Sequence, residues 1–357
     1  MMKDLLEKFI ARFFSNEESI FFGLLLLLCS IFMLLFGDIL LPVFISIVIA
    51  FLLNGLLKSF ESLKISSTIS LLLTLVIFFG FYLSIFITLP SLGSQINSLL
   101  QNLPIIIVAF QETLGELAVT YDDIFSEEDI NSLFLNFSDQ VNNLLSQALG
   151  QLAGTISFMF SAVLYAILIP IMVFFFLKDK TILLPMLTGF LPKKRGFMNS
   201  VFSEMNGQLY NYVTGKVIEM TIVALCSYVV FALFGLPYAV LMAILVGLSV
   251  VIPFFGAILV TIPVAFLGLY EWGLNSQFLW FMSSYLLIQV LDGNVLVPFL
   301  FSTRNNLHPV VIIITILFFG GIWGFWGLFF AIPLATFIKA IFNSWPEPKK
   351  INSTLND

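Results

Sequence analysis

Carboxylates inside apolar helices are costly, and two of them stand in this chain where chemistry can use them. Asp292 sits in Gln289-Val290-Leu291-Asp292-Gly293-Asn294, where an apolar run meets Gly293 and then Pro298, so that one carboxylate and the carboxamides of Gln289 and Asn294 converge near a helix end. Such a cluster can coordinate a cation or pass a proton. The same pattern also fits a helix ending at the cytoplasmic interface, with Asp292 paired to Arg304. Glu219, in Val217-Ile218-Glu219-Met220-Thr221, is either a second acid of the same path or an interfacial side chain snorkelling beside Lys216.

Two further regions offer backbone rather than side chains. Residues 238–270 would form a helix of about 50 Å, too long for one membrane span, but Pro253, Phe255 and Gly256 mark a break near its middle. Residues 309–338 behave alike, with the break at Gly320, Gly321, Gly324 and Gly327. Broken helices are tolerated at membrane depth where protein or a watery cavity satisfies the freed backbone. Both regions are expected to be re-entrant hairpins or paired short spans. Each also ends on Ile-Pro-x-Ala, at Ile262 to Ala265 and at Ile332 to Ala335, and paired broken helices point to a solute site at an inverted repeat. Gly and Pro are common in all membrane helices, so the likeness of the two is suggestive only.

The elements that must hold these groups are helices in lipid. Of 357 residues 60% are hydrophobic and 10% charged, with 42 Phe, whereas a soluble domain has roughly 45–50% apolar and about 25% charged residues. The mean hydropathy is +1.07 and the isoelectric point about 4.8. A basic nucleic-acid surface is excluded, and the partner indicated is the lipid bilayer. Apolar runs that match the roughly 30 Å of hydrocarbon are 20–36, 39–57, 65–89, 156–177 and 217–234, with a shorter one at 278–290. No small-residue cleavage site follows the first run, so it reads as a retained span.

The expected fold is all-α and polytopic, with about six full transmembrane helices plus two opposed broken hairpins, or eight or more spans. Its order is a cytoplasmic segment 1–19, three transmembrane helices in 20–89, an acidic amphipathic helical extracytoplasmic segment 90–152, a transmembrane helix in 153–177, a basic cytoplasmic segment 178–216, a core 217–343 and a tail 344–357. Charge orients it. Eight acids and no Lys or Arg lie between Ser91 and Gly150, whereas residues 178–216 carry six bases. The positive-inside rule makes the basic segment cytoplasmic, and with this parity all fifteen bases and both termini fall inside.

Other chemistries find little support. The lone His308 precedes Pro309, and neither HExxH nor GxSxG occurs. Cys29 and Cys226 lie in apolar runs, and no metal or cofactor is expected. The acidic stretch Asp122 to Asp129 lacks the Gly and terminal Glu of an EF-hand and reads as a solvated turn, with Ser126 and Asp129 opening an amphipathic helix over 134–148. A non-transporting membrane scaffold would share the spans, but two interrupted apolar regions are expensive unless they line something.

Leu248 to Ala257, Gln289 to Asn294, Leu296-Val297-Pro298, Leu307-His308-Pro309, the Gly-rich stretch to Ile332-Pro333-Leu334-Ala335 and the earlier Leu41-Pro42 to Leu53-Asn54 together resemble the autoinducer-2 exporter family over nearly the whole chain. Phe255 stands where that family is expected to vary. The resemblance implies a permease-like transporter of the bacterial inner membrane, forming a homo-oligomer. Its members are assigned to export of the quorum-sensing molecule autoinducer-2 or to sodium/proton antiport. In this chain the small polar solute would meet the hairpin tips, and Asp292, Gln289, Asn294 and Glu219 would hold a coupling Na⁺ or H⁺.

Overall fold

The computed structural model of the chain describes residues 17–120, 143, 155–192, 195–253, 255–301 and 308–345. These form helices α1 (Glu17–Ser62), α2 (Ser67–Thr120), α3 (Thr155–Lys178), α4 (Lys180–Gly189), α5 (Gly196–Phe234), α6 (Ala239–Ser249), α7 (Phe255–Trp272) and α8 (Ser276–Leu291). A π-helical turn (Asp292–Leu296), α9 (Val297–Phe301) and α10 (Pro309–Ser344) follow. No strand occurs among the described residues. Among the described residues, eight helical stretches are long and apolar enough to cross a membrane. Leu24, Leu72, Val163, Leu225 and Ile258 are exposed along them, as lipid-facing side chains must be.

Two helices run further than the apolar pattern suggests. α1 continues through Gly37 and Asp38, where the sequence separates two spans, so the apolar stretches Glu18–Gly37 and Ile39–Ser62 lie end to end in one helix of about 70 Å. A Cβ added at Gly37 would meet nothing within 4 Å among the described residues. α2 likewise joins the third expected span to the start of the expected extracytoplasmic segment, carrying Pro90 and Pro104 inside it. Its described residues run to Thr120. The acids Asp122 to Asp129 and the helix expected over 134–148 lie outside the described residues, as does Arg304, Asn143 excepted.

The chain packs as two compact units. The first comprises Met1–Phe78, Tyr165–Val213 and Arg304–Asp357, and the second Phe79–Leu164 and Thr214–Thr303. In the first unit Phe22, Phe197, Met198, Val201 and Ala340 form a core, with the Phe22 and Phe197 rings edge to face at 5.3 Å. In the second, Val223, Phe231, Met242, Val246, Val264, Phe281 and Tyr285 are buried together. Gly247 lets α6 lie directly on α5, because a Cβ there would come within 2.7 Å of the Met220 carbonyl and the Ala224 side chain.

Each unit holds one hairpin, and neither is built from equal halves. In the second unit α6 has 11 residues, too few to cross, and turns at Pro253 into α7 with 18. Proline brings no N–H to the turn, which closes by Phe255 N–H donating to the Pro253 carbonyl (2.8 Å) and Gly256 N–H to the Ile252 carbonyl (2.9 Å). A side chain on Gly256 would run into the Ser249 carbonyl. In the first unit α10 turns at Gly324, whose φ of 56° and ψ of −134° no helix contains. Gly320 lies against Leu328, and Gly327 against the Phe319 carbonyl. Residues eight apart in a straight helix are about 12 Å apart, so these approaches establish a reversal.

Candidate functional site

The charged groups inside the second unit gather on α5 and on the π-helical turn. Lys216 and Glu219 are one turn apart on α5, and both are buried, at 4% and 2% exposure. The Lys216 ammonium donates to both Glu219 oxygens, at 3.0 Å to Oε1 and 2.9 Å to Oε2, and lies 5.7 Å from the centre of the Phe301 ring. An ammonium over an aromatic face is attracted by the ring quadrupole, which offsets part of the lost hydration. Gly215 makes this approach possible, because a Cβ there would come within 2.8 Å of the Phe301 ring.

Asp292 opens the π-helical turn, where backbone bonds skip from i+4 to i+5, with Val297 N–H donating to the Asp292 carbonyl. Such turns inside α-helices frequently mark functional sites. The Asp292 carboxylate is attracted by Lys216 and repels Glu219, which brings the three groups into one electrostatic cluster. Gln289 stands three residues before Asp292, on the same helix face. Asp292 Oδ1 and Gln289 Nε2 are both buried without a hydrogen-bond partner among the described residues, as are Thr214 Oγ1 and Ser227 Oγ on α5. Buried polar atoms are rarely left so, and an unpartnered carboxylate oxygen beside an unpartnered carboxamide is a place for a ligand.

The sequence-derived candidates divide accordingly. Glu219, Gln289 and Asp292 come together in the second unit. Asn294 points away: it is exposed and its Nδ2 donates to the Val290 carbonyl at 2.9 Å. Pro253, Phe255 and Gly256 form the tip of that unit's hairpin, where the backbone donors are taken up within the turn and the Phe255 ring is exposed. Gly320, Gly321 and Gly324 lie in the other unit's hairpin. Two contributors escaped the sequence reading, Lys216 and Phe301. Lys216 passed for an interfacial base; the signal was its spacing of three from Glu219 at the start of the apolar run 217–234.

A helical, lipid-facing chain with a buried charge cluster invites comparison with known transporters. The description "AI-2E family transporter" fits residues 20–347, nearly the whole chain. The chain belongs to this family. It is 38% identical over 353 residues to "Putative permease PerM" of Escherichia coli (strain K12), covering 97% of this chain and 98% of that protein. It is 25% identical over 320 residues to "Putative transport protein YueF" of Bacillus subtilis (strain 168), with 87% and 85% covered. A "Putative transport protein" of Thermotoga maritima matches at 24% identity over 344 residues, with 93% and 96% covered. Family membership makes the chain a multi-pass membrane transporter, in the family that its sequence resembles.

Proposed function

We propose that this AI-2E family transporter exports a small polar solute, autoinducer-2 being the leading case, across the bacterial inner membrane by ion-coupled alternating access. The observation that carries the coupling is the cluster of buried Lys216 and Glu219 with half-buried Asp292, whose Oδ1 is buried with no partner among the described residues. With all three groups ionised, two acids against one base leave a single negative charge in an apolar setting. Burial of such a charge is expensive, so a bound ion is strongly favoured at one stage of the cycle. The two hairpins would shape the solute path, and movement of part of the helical bundle would expose it to either side.

The same excess charge supports a second reading, sodium/proton antiport. Flux into proteoliposomes separates the two. Labelled autoinducer-2 is one load, and a pH-sensitive dye inside reports the response to an imposed sodium or proton gradient. Solute movement that is lost in Asp292→Asn supports coupled export, while a dye response to sodium alone supports antiport. An inserted, folded Asp292→Asn protein that transports like the parent under every gradient sinks the coupling role. Silence in all arms favours a membrane scaffold.

The positive-inside pattern supports cytoplasmic termini. That orientation needs the chain to reverse between 20–36 and 39–57. Cysteine labelling from each side at positions 3 and 58 tests it. Labelling from the same side supports both termini inside, and labelling from opposite sides makes α1 a single crossing. The exposed apolar faces suit lipid or further copies of this chain, and homo-oligomer formation is read from mass in nanodiscs.

A further inference from the structure

We infer that α4 lies in the plane of the membrane, at the headgroup level on the side of the basic segment 178–216, and that its flanking bases bind anionic lipid headgroups. The inference does not depend on which solute or ion is carried. The ten residues of α4 make about 15 Å of helix, half of what a crossing needs. None of them is buried among the described residues. Ile182, Leu184, Met186, Leu187 and, just past the helix end, Phe190 are between 59% and 82% exposed. The helix is two-sided. Ile182 with Met186, and Leu183 with Leu187, share one face at a spacing of four, while Thr181, Pro185 and Thr188 form the other. Water would leave the first face unsatisfied and hydrocarbon the second, and the boundary between them satisfies both.

The ends of α4 are held while its sides are bare, and all of its contacts lie within the first unit. At the start, Lys180 Nζ donates to Asn54 Oδ1 on α1 at 2.9 Å. At the end, Arg195 Nη1 donates to the Thr188 carbonyl at 3.0 Å, which fixes the guanidinium beside the last turn with further N–H groups of its fork to offer a phosphate. Lys178 sets its ammonium 5.4 Å from the centre of the Phe174 ring. Against these three bases the stretch 178–195 has one acid, Asp179. Two observations make lipid the occupant of the bare face. α4 begins one residue after α3, whose Ile171 and Phe175 are exposed to lipid, so the lipid-facing surface runs on into α4 without a gap. The bases around the face complement the anionic lipids of the cytoplasmic leaflet, whereas a twofold contact between copies would bring like bases together.

The test uses the full chain carrying Cys29→Ser/Cys226→Ser, since both native cysteines are exposed. Thr181→Cys, Ile182→Cys, Leu187→Cys and Thr188→Cys, one at a time, then take a spin label at positions where no packing is lost. Each protein is reconstituted into nanodiscs of phosphatidylcholine, alone or with an equal part of phosphatidylglycerol. Relaxation by oxygen, which partitions into lipid, is compared with relaxation by a water-soluble nickel chelate. Oxygen dominating at 182 and 187, with the chelate dominating at 181 and 188, is the expected result. The chelate dominating at all four positions puts the helix in water, and neither reagent reaching 182 and 187 puts protein over the face, a second copy included. Either pattern overturns the inference. The ratio of oxygen to chelate relaxation at 182 and 187 should be about twofold higher with phosphatidylglycerol, and Lys180→Gln/Arg195→Gln should erase that difference. Equal ratios in the two kinds of disc overturn the assignment of the bases to anionic headgroups.

Discussion

The two hairpins reverse an apolar helix by different means. The turn between α6 and α7 is made by a proline, and its neighbours' N–H groups find carbonyls within the turn at 2.8 to 2.9 Å. The turn in α10 is made by a glycine in a conformation closed to other residues, φ 56° and ψ −134°. Where they agree is just beyond the turn, where Gly256 lies on the Ser249 carbonyl and Gly327 on the Phe319 carbonyl. A hairpin in an apolar setting therefore specifies two things separately, how the chain turns and how closely its arms approach. The second requirement is common to both units and should be the stricter.

The largest effect is expected where that closeness is lost. Gly256→Val and Gly327→Val each place a side chain against backbone carbonyls that cannot yield without opening the hairpin, and neither should accumulate as a folded, monodisperse protein in fluorescence-detected gel filtration. Gly321→Ala is the control, because nothing lies within 4 Å of the added Cβ, and it should elute as the parent. A folded Gly327→Val protein beside an unfolded Gly256→Val one would break the equivalence of the two arms.

Next in size is an asymmetry between the units. The second carries the buried Lys216–Glu219 pair beside its hairpin's packing surface on α5. Lys216→Met leaves Glu219 buried and uncompensated, at a cost of about 3–5 kcal/mol in equilibrium unfolding. Lys216→Met/Glu219→Gln removes both charges and should recover most of that loss. If the double variant is no better than the single one, the charge is not what the unit must satisfy.

The turns themselves come third. Gly324→Ala forces a side chain into a sparsely populated backbone region and should cost about 1–3 kcal/mol, while Pro253→Ala, at a turn closed by its own hydrogen bonds, should cost less than 1 kcal/mol. Unfolding midpoints of the two variants in one detergent system rank them. Equal losses would mean that glycine and proline serve the same purpose here.

How much of this was legible beforehand follows from what each residue type constrains. Pro253 and the glycines at 320–327 announced interruption, since proline lacks a donor and clustered glycine has no side chain to hold a helix in lipid. Pro90 and Pro104 carry the same letter, yet α2 runs through both, because a helix tolerates a missing bond where its neighbours keep theirs. Gly37 and Asp38 divide two apolar stretches yet lie within one continuous helix, because they permit a turn without requiring one. For the candidate site, residue type singled out Asp292, Gln289, Asn294 and Glu219 but could not give direction. Asn294 is as polar as Gln289, and only the π-helical register turns it outward onto Val290. Lys216 was hidden by its position at the end of a basic segment, where an exposed base is the commoner outcome.

The smallest effects concern how each hairpin begins. The α6–α7 hairpin is tied at its start to a distant helix: Asn102 Nδ2 donates to the Tyr238 hydroxyl at 2.8 Å, and Leu241 N–H donates to Gln95 Oε1 at 3.2 Å, both partners lying on α2. Among the described residues the start of the α10 hairpin has a bond within its own first turn, Val310 N–H donating to His308 Nδ1 at 3.3 Å on an exposed residue, whereas its tie to a distant helix comes in the second arm, where the Tyr212 hydroxyl donates to the Phe329 carbonyl at 3.3 Å. Tyr238→Phe removes one acceptor from a half-buried carboxamide and should cost about 1 kcal/mol, whereas His308→Ala gives up a long, solvated cap bond and should cost a few tenths of that. Hydrogen exchange makes the difference local. Tyr238→Phe should raise exchange both at the start of α6 and in α2 around Asn102, because the bond joins two helices distant in sequence. His308→Ala should raise it only in the first turn of α10. Exchange that stays confined to α6 in Tyr238→Phe would mean that α2 does not hold this hairpin, and the two would then be anchored alike.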